Sequence, residues 1–196
     1  MVFAEAASDA RVLKAVVEGV LWTEGPQWVR EHLEYLGSEH LFRWTGEDDV
    51  TACVTWPRVK TLAAEHRVRI GRRGEGGAVT EIRKALALAA QLWPTASVVV
   101  HRDRDVVEGD LVRLVGDDVM LAIPNPCTEA WLLRAADHPV PPTSNGCKDA
   151  VARAGIDDPD AMRQLLRQHP ARLVGDPAGV VFLEQVRRQV LSRLHR

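Results

Sequence analysis

Apolar residues in this chain occur either in short continuous runs or in helical stripes, a combination typical of an α/β protein. The runs at residues 1–4, 98–100 and 119–123 predict three buried strands. Behind the first run, apolar residues recur every three to four positions from Val12 to Leu21, which predicts an amphipathic helix capped by Ser8 or Asp9. We therefore expect a central, mostly parallel sheet flanked by helices.

The rest of the chain shows further helical patterns and one more strand candidate. Residues 67–70 predict a strand, residues 39–53 are polar and predict no element, and residues 138–146 predict an irregular loop. Helices are predicted around Trp28, from Glu129 onward, and over residues 56–65, 79–93, 159–168 and 178–194.

Length and composition are those of an ordinary globular protein. The chain has 196 residues, of which 46% are hydrophobic and 27% charged. We predict one α/β domain over residues 1–137 and a C-terminal helical extension over residues 138–196 that caps the same domain. The composition changes at the proline-rich loop after Asp137, and we place the boundary there.

Two carboxylates follow the central apolar run. Asp103 and Asp105 are separated by one residue, so strand alternation puts them on one face and Arg102 and Arg104 on the other. Open α/β sheets bind ligands at the carboxyl ends of their strands, and Mg²⁺ accepts one or two protein carboxylates. Taken alone, the pair is explained better by a turn with a capping aspartate.

Two glutamates follow the other apolar runs. Glu5 ends the first strand, and Glu129 begins the helix after the third. Neighbouring parallel strands bring such ends together, so these acids are expected near Asp103 and Asp105. Glu129 is also a favourable charge on the first turn of a helix, and Glu24, before Gly25, is an alternative to Glu5.

This combination resembles the Toprim fold of topoisomerases, primases and small nucleases. A strand ends in Glu5, Ser8 and Asp9 precede a helix, and a later strand ends in the pair Asp103 and Asp105. The likeness extends over about residues 1–135. It is nearest to nucleases of the overcoming-lysogenization-defect type and to small stand-alone Toprim-like proteins of bacterial defence loci. In those proteins a helix similar to residues 129–133 follows the third strand.

The resemblance implies a Toprim-like nuclease that depends on Mg²⁺ or Mn²⁺ and hydrolyses phosphodiesters of DNA or RNA, in defence, in the bacterial cytoplasm. Asp103 and Asp105 would hold the principal ion, and Glu129 would bind a second one. Glu5 would complete the metal shell or deprotonate the attacking water. Lys148 would neutralise developing negative charge.

Alternatives of other classes stay open. A non-catalytic Toprim-like module could bind the metal structurally and dock on a partner such as a separately encoded ATPase, and a homodimer is a further alternative. A third alternative is a phospho-receiver-like or nucleotide-binding domain that uses the same strand-end acids, although a phospho-receiver needs an order of acids that this chain lacks. Arginines in 67–73 and 187–196 form either solvated faces or nucleic-acid contacts, and the glycines of 74–77 form a weak candidate for a phosphate-binding loop.

Charge, hydropathy and cysteine content exclude several classes. A net charge of −2 excludes a globally basic nucleic-acid binder. We expect neither a membrane span, since no segment nears the ~18 apolar residues required, nor a signal peptide, since a basic start is missing. Cys53, Cys127 and Cys147 match no zinc motif and fit a reducing cytoplasm, and Cys127 is expected as a buried thiol.

Overall fold

The computed structural model describes residues 1–35, 53–68, 77–104 and 118–194. Within these ranges a sheet of four strands forms the centre of the protein, with β1 at Val2–Ala4, β2 at Val54–Thr55, β3 at Val98–His101 and β4 at Val119–Ala122. The strand order is β2-β1-β3-β4, and every neighbouring pair is parallel. All four strands therefore end at one side of the sheet, which we call the carboxyl edge.

Helices account for most of the remaining described chain. They are α1 (Ala7–Glu24), α2 (Gln27–Tyr35), α3 (Trp56–Glu65), α4 (Gly77–Leu92), α5 (Thr128–Ala135), α6 (Ser144–Ala154), α7 (Pro159–Gln168), a 3₁₀ helix (Pro170–Gly175) and α8 (Pro177–Val186), which continues through a π-helical stretch (Arg187–Leu191) into α9 (Ser192–Leu194). None of the described helices is long and apolar enough to cross a membrane. The α/β fold class with a parallel sheet and flanking helices is confirmed.

The pleat of the strands divides the core into two layers. Val2, Ala4 and Val99 point to one side, where they pack with α1, α5 and the C-terminal helices. Phe3 and Val100 point to the other, where they pack with α3 and α4. We call these the α1 face and the α3–α4 face, and residues beyond a strand end continue the same alternation.

The C-terminal helices belong to the core of the α1 face. Leu166 and Phe182 are fully buried there, and the Phe182 ring stacks on Trp131 with centroids 5.5 Å apart. Burial of each such side chain stabilises the fold by about 1.5–3 kcal/mol. A methyl group on Gly19 would lie 2.4 Å from the carbonyl oxygen of Leu166, so α1 and α7 pack together as closely as they do because Gly19 has no side chain.

The strand predictions at β1, β3 and β4 are confirmed, but others are wrong. β2 lies in a stretch where no strand was expected. Arg67 and Val68 are not in a strand, and Arg67 has a positive φ of 53°; the other two residues of that predicted strand lie outside the described ranges. Two residues make so short an apolar run that β2 is recognised only by its pairing with β1.

One expected helix start is also wrong, and one helix, α6, was not predicted. α1 begins at Ala7, so Ser8 and Asp9 lie inside it; Asp9 accepts a hydrogen bond from the N–H of Ala6 at 2.8 Å. α6 begins at Ser144, inside the predicted loop, because the Thr143 side chain accepts a hydrogen bond from the N–H of Gly146. Hydrogen bonds to the Asp9 and Thr143 side chains therefore mark where these two helices begin.

Candidate functional site at the carboxyl edge

Glu5 and Asp103 lie at the same edge of the sheet, on neighbouring strands. β1 pairs with β3 in the register Phe3 with Val100, so Glu5, just beyond β1, is level with the residues that follow β3. The alternative assignment of this position to Glu24 is wrong, because Glu24 ends α1 and its carboxylate pairs with Arg187 at 2.7 Å. The first glutamate of the predicted site is therefore at the expected end of the expected strand.

Arg102 organises the α3–α4 side of this edge. Its side chain is buried, and Nη1 lies 3.4 Å from Glu5 Oε1 while Nη2 bonds to Glu81 of α4. The guanidinium also stacks over Trp56, 4.1 Å from the ring centroid. Lys60 contacts the other oxygen of Glu81 at 2.8 Å. These five residues form what we call the Arg102 cluster, in which two cations compensate two carboxylates.

Asp103 lies in a different environment on the α1 side. Its Oδ1 accepts hydrogen bonds from Thr128, at 3.2 Å from the backbone N–H and at 3.3 Å from the hydroxyl. The same Oδ1 is 3.3 Å from Nε2 of His101, which is completely buried and lies 2.8 Å from the Thr128 hydroxyl. On the other side of the imidazole, Asp9 Oδ2 is 3.9 Å from Nδ1. We call Asp9, His101, Asp103 and Thr128 the Asp103 cluster.

Three polar atoms in these clusters have no hydrogen-bond partner within the described ranges. They are Nδ1 of His101, Nε of Arg102 and Nε1 of Trp56, and all three are buried. Every contact of the Asp103 carboxylate with a described residue runs through Oδ1, which leaves Oδ2 uncommitted among those residues. The carboxyl edge therefore retains unused bonding capacity on its α1 side.

Cys127 connects the Asp103 cluster to Glu129. It is the residue before α5, and its thiol is buried. Burial raises its pKa, and the hydrogen bond with Glu129 and the negative charges of Glu129 and Asp103 raise it further. Burial also raises the pKa of Cys147. Cys127 is buried, as predicted. Its raised pKa and that of Cys147 keep both thiols protonated near neutral pH.

The predicted site residues thus divide into groups. Asp103 bonds to Thr128, the residue before Glu129, whereas Glu5 is paired with Arg102. Lys148 is exposed on α6 and makes no hydrogen bond or ion pair with a described residue. Asp105 lies outside the described residues, as do Gly74 and Gly76 of the candidate phosphate loop.

Sequence reasoning missed several members of this edge. Nothing local marks Thr128 or Glu81 as a partner of the residues after β3, because the contacts join elements 21 to 27 residues apart. His101 carried a weak signal, since a histidine at the end of a buried apolar strand requires a polar partner. The alternation that turns Arg102 away from Asp103 was predictable, and the two residues do take different partners.

The donor set permits a direct test of the metal predicted here. In the parts of the chain that the structure describes, no three His, Cys, Asp or Glu side chains lie close enough to share an ion. Glu5 does not fit, because the neighbouring guanidinium repels a cation. Asp103 and Glu129 do fit, because Mg²⁺ needs only one or two carboxylates and takes its other ligands from water and phosphate.

No protein family matches this chain, and no curated protein or solved structure matches it either. The site is therefore defined by its own geometry: a parallel α/β sheet with a charge-compensated cluster and a carboxylate cluster side by side at its carboxyl edge.

Proposed function

We propose that this chain is a metal-dependent nuclease that hydrolyses phosphodiesters at the carboxyl edge of the sheet. The observation that carries the proposal is the position of Glu5 and Asp103 just beyond the ends of two paired parallel strands. Ligands of open α/β sheets bind at such edges. The Asp103 carboxylate, with one oxygen held and the other uncommitted among the described residues, supplies the acidic group that this chemistry needs.

Asp103 and Glu129 would hold the divalent ion, Mg²⁺ or Mn²⁺. When bound, the ion would supply Lewis-acid stabilisation of the phosphoryl oxygens and an activated water. Asp105, two residues after Asp103, would be a further ligand of this ion. The roles of Lys148 in charge neutralisation and of a nucleic acid as substrate are part of it and rest on the Toprim resemblance.

The remaining residues act by position and proton transfer. Thr128 orients the Asp103 carboxylate through two hydrogen bonds to Oδ1, and His101 packs behind that oxygen, away from water. Arg102 holds one oxygen of Glu5, so the other oxygen can accept a proton from water. In this arrangement Glu5 acts on water and does not bind the metal.

The experiment compares cleavage of labelled DNA and RNA by the parent chain and by Asp103→Asn, Glu5→Gln and the control Asp149→Asn, in Mg²⁺, Mn²⁺ or chelator. Asp149 is an exposed aspartate on α6. We expect Asp103→Asn and Glu5→Gln to reduce the cleavage rate by about 100-fold or more, as when a preorganised charged group is lost. Asp149→Asn should leave the rate unchanged.

A parent chain that cleaves neither substrate, or an Asp103→Asn variant as active as the parent, would contradict the proposal. Thermal melts of each variant exclude unfolding as the cause of lost activity.

One observation favours a second function, that of a non-catalytic module that docks on a protein partner such as an ATPase. The Glu5–Arg102 pair neutralises the acid that a nuclease of this type would use. The two functions separate by metal response. A module would show metal-dependent thermal stabilisation that Asp103→Asn removes, without cleavage by the purified chain.

A further inference from the structure

A polar cavity lies beyond the carboxyl end of β4, and no residue of the Arg102 cluster or the Asp103 cluster lines it. Its volume is about 740 Å³. The walls come from the residues after β4, the carboxyl end of α5, the loop before α6 and the 3₁₀ helix. We call it the Arg134 pocket, after the side chain whose bonding is least satisfied.

Positive charge dominates this pocket. Two arginines, Arg134 and Arg172, line it together with one acid, Asp137. The Arg134 side chain makes no hydrogen bond or ion pair within residues 1–35, 53–68, 77–104 and 118–194, and its Nε is buried without a partner. A half-buried guanidinium with unused donors is costly to maintain unless an anion accepts from it.

The two arginines come from α5 and the 3₁₀ helix, which pack against each other. Arg172 Nη1 donates to the carbonyl oxygen of Ala135, the residue after Arg134, at 2.8 Å. A methyl group on Gly175, which ends the 3₁₀ helix carrying Arg172, would lie 3.9 Å from Cδ and 4.0 Å from Nη1 of Arg134. Arg172 therefore has further N–H donors, and it lines the same cavity as Arg134.

Asp176, the buried acid nearest to this junction, is already fully engaged. Its carboxylate accepts hydrogen bonds from the Trp131 indole at 2.8 Å, from the N–H of Ala178 at 3.0 Å and from the N–H of Asn125 at 3.2 Å. These bonds fasten the start of α8 to α5 and to the loop after β4. No described carboxylate contacts either arginine.

We propose that the Arg134 pocket binds a phosphate monoester, the 5′-phosphate of a nucleotide, through Arg134 and Arg172. Guanidinium groups match phosphate oxygens with two parallel N–H bonds each. The volume lies within the range of small-ligand sites, about 300–1,000 Å³, and Pro141 and Pro142 provide an apolar wall for the base. This binding needs neither Asp103 nor a metal, so it does not rest on the proposed nuclease activity.

Calorimetric titration of the full chain with inorganic phosphate, adenosine 5′-monophosphate and adenosine tests the assignment. We expect phosphate and the monophosphate to bind and adenosine to bind at least about tenfold more weakly, because a charge-assisted hydrogen bond contributes that much. Arg134→Gln and Arg172→Gln should each weaken binding of the monophosphate about tenfold. Arg153→Gln, an exposed arginine on α6, is the matched control and should bind normally.

Arg134→Gln is the decisive variant, because its side chain bonds to no described residue and its loss should not disturb folding. Equal affinity of this variant and the parent, or absence of phosphate binding in the parent at millimolar concentration, would overturn the proposal. Asp103→Asn should retain full binding, which separates failure of this pocket from failure of the nuclease.

Oligonucleotides with and without a 5′-phosphate identify the source of the phosphate. If the phosphorylated strand binds more tightly than the mononucleotide, the ligand is a strand end; if the mononucleotide binds more tightly, it is a free nucleotide. Both outcomes support phosphate recognition, whereas equal binding of the two strands together with no binding of the mononucleotide would contradict it.

Discussion

The two sides of the carboxyl edge begin at consecutive residues and differ in charge balance. Arg102 turns to the α3–α4 face, where two carboxylates and Lys60 complete a compensated cluster. Asp103 turns to the α1 face, where it meets a buried imidazole and a hydroxyl, with Asp9 beyond. The pleat thus separates a charge-compensated cluster from one in which a carboxylate oxygen has no partner among the described residues.

The largest expected effect is that of Arg102→Met on stability. Removing the guanidinium leaves Glu5 and Glu81 without their main partner and should lower the free energy of unfolding by about 3–5 kcal/mol. Urea denaturation measures the change. Arg153→Met serves as an exposed control with an expected change below about 0.5 kcal/mol. A loss of less than about 1 kcal/mol, well below the cost of breaking a buried ion pair, would mean that the cluster does not stabilise the fold.

Thr128→Val should have a smaller effect on stability. The substitution keeps the shape but removes the hydroxyl that bonds to His101 and Asp103, at a cost of about 1–3 kcal/mol. It should also slow any cleavage, since Asp103 loses one of its two donors. Thr128→Ser restores the hydroxyl and should recover both properties. Identical behaviour of the valine and serine variants would show that the hydroxyl bonds contribute nothing.

Alkaline pH tests the environment between Asp103 and Glu129. The folded state holds the proton on Cys127 above the ordinary thiol pKa of 9.0, so above that pH the unfolded state binds fewer protons. The free energy of unfolding should therefore fall as pH rises above 9, by up to about 1.4 kcal/mol per pH unit for this thiol. The contribution of this thiol to the free energy of unfolding is fully present below pH 9 and is lost as the pH rises above it.

Cys127→Ala should flatten this alkaline decline, while the raised pKa of Cys147 leaves part of it. Denaturation curves in reductant measure the free energy of unfolding of both chains from about pH 8 to about pH 10, on either side of the ordinary thiol pKa. The slope against pH is then compared. An unchanged slope in the variant would show that the Cys127 thiol does not experience the proposed environment.

The smallest effect concerns the outer member of the Arg102 cluster. Lys60 is 62% exposed, so Lys60→Ala should change the free energy of unfolding by about 0.5 kcal/mol or less, although its contact with Glu81 is only 2.8 Å long. A double-mutant cycle with Glu81→Gln isolates the pair. A coupling energy above about 2 kcal/mol, beyond the usual range for exposed pairs, would place Lys60 inside the stabilising part of the cluster.

Local patterns accounted for much of the fold. Residues 56–65 and 159–168 form helices with the predicted bounds, because an apolar stripe and an early proline mark their limits. The positions of Glu5, Asp103 and Glu129 beyond three strands were also predictable, because a continuous apolar run in the local sequence marks each strand. β2 and the start of α6 were not, because a two-residue strand and a cap at Thr143 give almost no periodic signal.

By itself, then, the sequence determined which residues stand at the ends of the strands and which of two faces each one takes, since both follow from a period of two. Only the tertiary structure decided their partners. Glu81 reaches Arg102 because α4 covers the sheet, and Thr128 reaches Asp103 because β4 lies beside β3. Such contacts join distant segments, and their energies depend on burial and charge that exist only after the sheet has formed.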